Sequence, residues 1–250
     1  MILIKDFSIG FADKPLLEKV STVFEKGKLT ALIGRNGSGK STLMKAISGI
    51  IENYRGEILI DDNNIKEIPQ NALAFKMAFV NTRRPFGNRI KCWDLVALGR
   101  SPHTSWHGKL SDKDKEIAEK ALSMVEMTGY RDRYIQTLSD GECQKIMIAR
   151  AIAQDTPIII LDEPTSFLDL PTRYEIVGLL KNLTTDQGKT IIFSTHELDI
   201  ALEKSDMIAL ISERQLHNLP VREMIESGLI QSIFKTPDSF ITRYLSLFLQ

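Results

Sequence analysis

The residues best suited to chemistry lie in Gly34-Arg35-Asn36-Gly37-Ser38-Gly39-Lys40-Ser41-Thr42, which follows the pattern Gly-x4-Gly-Lys-Ser/Thr. Glycines let a backbone take positive φ and approach a ligand closely, so successive N–H groups can surround phosphate oxygens. Lys40 offers a cation to the β- and γ-phosphates, and the Ser41 hydroxyl is a ligand for Mg²⁺. The pattern carries weight only between a strand and a helix. Leu29 to Ile33 is a short apolar run that reads as a buried strand, and Gly39 to Gly49 reads as the helix it feeds. The N-terminus of that helix adds a positive dipole at the same place.

A second group of reactive side chains follows the apolar run Ile158 to Leu161, which ends in Asp162-Glu163. A carboxylate at the C-terminal end of a strand faces the crevice where open α/β sheets bind ligands. Asp162 is placed to hold Mg²⁺, directly or through water, as in P-loop NTPases generally. Glu163 is placed to polarise an attacking water as general base. Alone, an apolar strand ending in acids is a weak signal; the phosphate-binding pattern upstream gives it meaning.

The elements that must position these groups follow from periodicity. Met1 to Phe11 alternates apolar and polar residues as a strand does. Glu57 to Ile60, Met77 to Val80, Thr190 to Ser194 and Met207 to Ile211 read as further strands. The short, fully apolar ones suit a parallel sheet covered on both faces. Ser111 opens a helix with Asp114 as its capping-box partner; Ile117, Ala118, Ala121, Leu122 and Val125 form the apolar face, and Gly129 is the expected stop. A second helix is expected from Glu142 to Gln154, so residues 85–155 read as a helical insert between core segments 1–84 and 156–250. The tail beyond Leu216 reads as helical. The fold class is therefore α/β.

Whole-chain properties narrow the field. The 250 residues are 43% apolar and 26% charged, ordinary for a globular protein. Lys+Arg and Asp+Glu balance at 32 each, which gives no basic excess for nucleic acid. Cys92 and Cys143 have no metal-ligand spacing and read as reduced structural thiols. The N-terminus lacks the apolar core of a signal peptide, and no apolar run is long enough to span a bilayer. A membrane role is expected to be peripheral.

Leu138-Ser139-Asp140-Gly141-Glu142, at the head of an expected helix, resembles the ABC ATPase signature Leu-Ser-Gly-Gly-Gln. Asp162-Glu163-Pro164-Thr165-Ser166-Phe167-Leu168-Asp169 resembles the family's acid pair running into its D-loop, and Ser194-Thr195-His196 follows the next strand as the switch histidine does. The motifs stand in family order over essentially the whole chain. The resemblance implies an ABC-type P-loop core with an N-terminal antiparallel β part and a helical subdomain. It implies that Ser139 and Gly141 face the nucleotide of a second copy, so ATP is held between two subunits. His196 would contact the γ-phosphate with Glu163, Asp169 would bridge the dimer, and Phe11 would stack on adenine. Asn81 stands where the family has its Q-loop glutamine, with a shorter reach to Mg²⁺ or water. Asp140 and Glu142 replace signature residues and put acids near a triphosphate, unfavourable unless they point away or meet a cation.

Leu98-Gly99-Arg100-Ser101-Pro102-His103, with Trp106 and Ser111 to Asp114, resembles a segment of ATPases that drive uptake of iron-siderophore, haem and corrinoid complexes. It implies the ATP-hydrolysing motor of an importer at the cytoplasmic face of the membrane, where this insert meets permease subunits and, through them, a substrate-binding protein. His103 and His107 are not read as iron ligands, because two loop histidines without carboxylates are a poor site and cargo bypasses this subunit. A soluble ABC ATPase of translation or DNA maintenance fits less well: the chain has one cassette and no coiled-coil insertion. A non-catalytic ATP-binding regulator is the third reading, prompted by Asn81, Asp140 and Glu142.

Overall fold

In the computed structural model, which describes residues 1–11, 14–81, 89–104, 108–166 and 168–234, two sheets share one body. The chain opens with β1 (Ile2–Phe11) and β2 (Lys14–Phe24), then β3 (Leu29–Gly34) and α1 (Lys40–Ile47). β4 (Arg55–Ile60), the short β5 (Asn63–Asn64), α2 (Gln70–Lys76) and β6 (Met77–Val80) follow. Next come α3 (Cys92–Ala97), a 3₁₀ segment over Leu98–His103, α4 (Asp112–Met124) and α5 (Asp140–Ala153). β7 (Ile158–Leu161), α6 (Leu170–Gln187), β8 (Thr190–Ser194), α7 (Leu198–Lys204), β9 (Met207–Ser212), β10 (Gln215–Pro220), α8 (Val221–Glu226) and α9 (Leu229–Phe234) complete it.

The first sheet has the order β2-β1-β4-β5 and is antiparallel. The second has the order β10-β9-β3-β8-β7-β6 and is parallel except at β10. β3, β7 and β8 are buried at every position. Successive side chains of a strand point to opposite faces. Accordingly Ala31, Ile33, Ile159, Leu161, Ile191 and Phe193 pack into one apolar cluster with α3 to α7, whereas Leu32, Ile158, Ile160 and Ile192 pack into another with α1 and the antiparallel sheet. A strand covered on both faces needs no polar alternation, which is why these strands read as unbroken apolar runs.

Helix ends follow their side chains. Ser111 and Asp114 form a reciprocal capping box at α4, and Ser139 and Glu142 form another at α5. Asp169 caps α6, and Gly188 closes it in the left-handed region at φ 64°. Two expectations fail. α4 stops at Met124, not Gly129: Glu126 takes φ 59°, and the Met127 N–H bonds back to Leu122 O at 2.9 Å. That is a Schellman closure made without glycine. The tail beyond Leu216 begins as strand β10, because Glu213 and Arg214 both take positive φ (47° and 66°) and turn the chain back along β9. Such a two-residue turn normally advertises itself with Asn or Gly. Phe11 ends β1, but its side chain lies outside the described part, as do Trp106, His107, Phe167 and the segment Arg83-Arg84-Pro85.

Candidate active site

Parallel pairing delivers the reactive residues to one edge. β3 pairs with β8 and β8 with β7, so their C-terminal ends emerge side by side. The phosphate-type loop after β3, the acids after β7 and His196 after β8 therefore meet without any long-range signal in the sequence. A cleft of about 790 Å³ opens there, with Asn36, Gly37, Gly39, Lys40, Ser41, Thr42, Glu163 and His196 on its walls and Asp162 buried behind them. Gly34, Arg35 and Ser38 belong to the same loop but not to that wall. Among the described residues no cluster of three or more His, Cys, Asp or Glu is arranged to hold a metal.

The loop needs its glycines. Gly37 and Gly39 take φ 75° and 105°, and a Cβ on Gly39 would sit 3.1 Å from Leu16 Cβ. Among the described residues Ser38 Oγ is buried and meets no hydrogen-bond partner. Lys40 is buried, its Nζ donating to Gly34 O at 3.0 Å and Arg35 O at 3.4 Å. Burial pulls the ammonium below the usual lysine range, while Glu163 and Asp162 act the other way.

The acid pair is tied to both neighbouring strands. The Asp162 N–H donates to Val80 O at 2.8 Å, and its Oδ1 accepts from Ser41 Oγ at 3.0 Å and Ser194 Oγ at 2.8 Å. Glu163 sits in the left-handed region at φ 48°, and its N–H donates to Ser194 Oγ at 2.8 Å. Glu163 Oε1 lies 2.7 Å from His196 Nε2, and Oε2 accepts from Ser166 Oγ at 2.8 Å. An ionised carboxylate only accepts, so Nε2 of His196 carries the proton. Burial alone raises the Glu163 carboxyl, but the Ser166 hydroxyl, the His196 ring and the Lys40 charge outweigh it and hold it below the usual glutamate range.

The remaining expected residues lie elsewhere. Asn81 is exposed at the end of β6, one residue beyond the Val80 carbonyl that anchors Asp162, and does not line the cleft. Ser139, Gly141 and Asp169 also lie off it. They share a separate surface: a Cβ on Gly141 would meet Thr172 at 3.2 Å and Leu168 at 3.6 Å, so the heads of α5 and α6 abut. Glu142 is turned onto its own helix end, accepting from Ser139 N at 2.8 Å, and that bond with a second from Tyr130 keeps its carboxyl low. The acid at this position thus acts as a cap.

Sequence reading gave no role to several cleft residues: Thr165, Ser166 and Thr195, which lie within its motifs, and Leu16 and Glu197, which lie outside them. Ser166, three residues after Glu163, and Glu197, next to His196, could have been suspected from spacing. Leu16 gives no signal, since only tertiary packing of β2 carries it to the loop. The Leu98 to His103 segment forms a 3₁₀ turn packed on α4 and α5. Arg100 is buried, donating to Asp114 Oδ1 at 3.0 Å and Ala153 O at 2.8 Å, and His103 Nε2 lies 3.0 Å from Gln154 O. The segment's basic residue is thus committed to internal packing.

This arrangement joins a loop of backbone N–H groups to a lysine, an acid bonded to a serine, and a glutamate–histidine pair, the parts a phosphoryl-transfer site requires. Comparison with known proteins decides the family. The family model described as ABC transporter matches residues 17–166. The chain belongs to the ABC transporter family. It is an ATP-binding, ATP-hydrolysing subunit of that family. Over 94% of this chain it is 37% identical to the petrobactin import ATP-binding protein YclP of Bacillus subtilis, covering 92% of that protein. It is 34% identical to the iron(3+)-hydroxamate import ATP-binding protein FhuC of Bacillus subtilis over 95% of this chain and 89% of that one. A solved dimeric ATP-binding cassette in a post-hydrolysis state, bound to ADP and Pi, superposes with a TM-score of 0.77 at 26% identity, covering 89% of this chain and 99% of that one. No described helix of this ABC subunit is long and apolar enough to cross a membrane.

Proposed function

We propose that this ABC subunit is the motor of an importer for iron chelates, working as a pair of copies beneath a membrane permease. The observation that carries the motor role is the 2.7 Å contact of Glu163 with His196 at the mouth of the phosphate-type loop. Glu163, kept ionised at neutral pH, takes the proton of the attacking water, and His196 holds that water against the γ-phosphate. Lys40 and the N–H groups of residues 34–42 bind the phosphates, and the orphaned Ser38 hydroxyl gains an acceptor there. The Ser41 and Asp162 oxygens, already 3.0 Å apart, fit Mg²⁺, which favours a few oxygen ligands and shares the rest with phosphate and water. Bound Mg²⁺ would supply charge neutralisation at the β- and γ-oxygens. Asn81, beside Asp162, would act on it only through water.

The surface of Ser139, Gly141 and Asp169 lies away from its own cleft, which supports a second copy closing over the nucleotide. The Ser139 Oγ accepts from Glu142 N at 3.2 Å, and its hydroxyl, which bonds the Glu142 carboxylate in the single copy, would exchange that acceptor for a γ-phosphate. Phe11 is assigned to adenine on its position in β1. Segments 1–84 and 156–250 form the nucleotide core, and 85–155 the helical part that meets the permease at the cytoplasmic face; a substrate-binding protein delivers cargo to that permease. The cargo class rests on the petrobactin and iron(3+)-hydroxamate relatives. Corrinoid remains the alternative cargo.

Two measurements test this. Lys40→Ala should abolish nucleotide binding, whereas Glu163→Gln should bind ATP, lose turnover and accumulate as a closed dimer. Wild-type turnover by Glu163→Gln overturns the assignment of the base. Cells lacking the chain should lose uptake of one radiolabelled iron chelate, restored by wild type and not by Glu163→Gln; loss of labelled corrinoid uptake instead overturns the iron reading.

A further inference from the structure

Glu197 lines the cleft directly after His196, yet no step above uses it. Its carboxylate is divided between two elements. Oε1 pairs with Arg173 Nη1 at 2.8 Å, and Oε2 accepts from Thr165 Oγ1 at 2.9 Å. The same guanidinium donates from Nε to Leu168 O at 2.6 Å. The side chains are only 30% and 20% exposed for Arg173 and Glu197, so solvent competes weakly for these bonds. Each contact falls beside a motif residue. Thr165 is two residues past Glu163, Glu197 adjoins His196, and Leu168 precedes Asp169, the cap of α6. The planar guanidinium presents its donors in a rigid fork, so one side chain fixes the carbonyl and the carboxylate relative to each other.

We infer that Arg173, Glu197 and Thr165 form a positioning device for hydrolysis, which holds Glu163 and His196 in register and ties both to the head of α6. The inference rests on the reading of Glu163 and His196 as the hydrolytic pair. The head of α6 packs on Gly141 of the signature segment through Thr172. Any displacement of that surface therefore reaches the Glu163–His196 pair through one guanidinium. None of the three residues touches the water or the phosphates in this scheme; they act through the pair.

The test uses the full chain, with steady-state MgATP hydrolysis, binding of a fluorescent ATP analogue and the ring resonances of the histidines. Glu197→Gln and Arg173→Gln should each lower kcat by about 10- to 100-fold, the cost of roughly an ångström of misplacement. KM and analogue binding should stay within about twofold, because the phosphate loop is untouched. The double variant should be no slower than the worse single variant, as residues of one network behave. Arg173→Lys should recover little, since it lacks the fork. Thr165→Val removes a single hydroxyl and serves if the charge variants fold poorly; it should lower kcat in the same direction. In every variant the His196 resonance should move while that of His217, on β10, stays. Unchanged kcat, losses that multiply, a rise in KM alone or an unmoved His196 resonance each overturn the inference. Glu163→Gln is run alongside: if it keeps turnover, the reading of the base fails, and the His196 resonance still decides the network.

Discussion

Ser194 is fully buried at the end of β8, and its hydroxyl does two jobs at once. It donates to Asp162 Oδ1 at 2.8 Å and accepts from the Glu163 N–H at 2.8 Å. Replacing it with alanine removes a hydrogen bond to a carboxylate, about 1.5–3 kcal/mol, and strands a shielded N–H, about 1–3 kcal/mol. The two losses share one group and do not add fully, so about 3–4 kcal/mol is expected. For a chain of this size that lowers Tm by roughly 6–16 °C, at about 2–4 °C per kcal/mol. The stranded N–H belongs to Glu163 at φ 48°, a conformation that persists only while its surroundings hold it. Relaxation there carries the base away from the attacking water, so kcat should fall about 100-fold with KM for MgATP changed little. Thermal unfolding followed by circular dichroism and steady-state phosphate release measure the two effects. Ser194→Thr keeps the hydroxyl and should retain most activity while losing about 1–3 kcal/mol to its extra methyl. An alanine variant that melts within about 2 °C of wild type and keeps its kcat would refute the reasoning.

The buried pair of Arg100 and Asp114 gives a second stability test. Asp114→Ala should cost about 3–5 kcal/mol in urea unfolding, because it leaves a guanidinium buried without its counter-charge, whereas Arg100→Leu with Asp114→Leu should recover much of that loss. The Ser111 hydroxyl, then Arg100, hold the Asp114 carboxyl at about 2. A lowered folded value means the contribution is complete above the unfolded value near 3.9 and is lost as pH falls toward 2. The wild-type chain should therefore destabilise over that window more steeply than Asp114→Asn. Gly99→Ala should destabilise by about 1–3 kcal/mol or more on the same assay, since its Cβ would sit 2.3 Å from Arg150 O. Glu142→Gln should leave kcat within about threefold, because glutamine also completes a capping box, while Glu142→Ala should cost about 1 kcal/mol of stability. A large gain in activity for Glu142→Gln would mean that its charge does face the triphosphate.

Much of this protein can be read from local pattern. The Gly34 to Thr42 loop, the acids after Leu161 and the capping boxes at Ser111 and Ser139 depend on backbone groups within a few residues, so the sequence alone specifies them. Buried parallel strands announce themselves as apolar runs because both faces are covered. Turns that use ordinary residues in unusual conformations stayed hidden. Glu126 ends α4, and Glu213 with Arg214 builds the β9–β10 hairpin, at positive φ that neither residue type advertises. Long-range contacts stayed hidden for a different reason. Ser194 on Asp162, Arg173 on Glu197, Arg100 on Asp114 and Leu16 against Gly39 join residues whose proximity is set by strand order and helix packing. Sequence determined which groups could do the chemistry. The tertiary structure decided which of them share a cleft, because only parallel pairing of β3, β8 and β7 brings three separate strand ends to one edge.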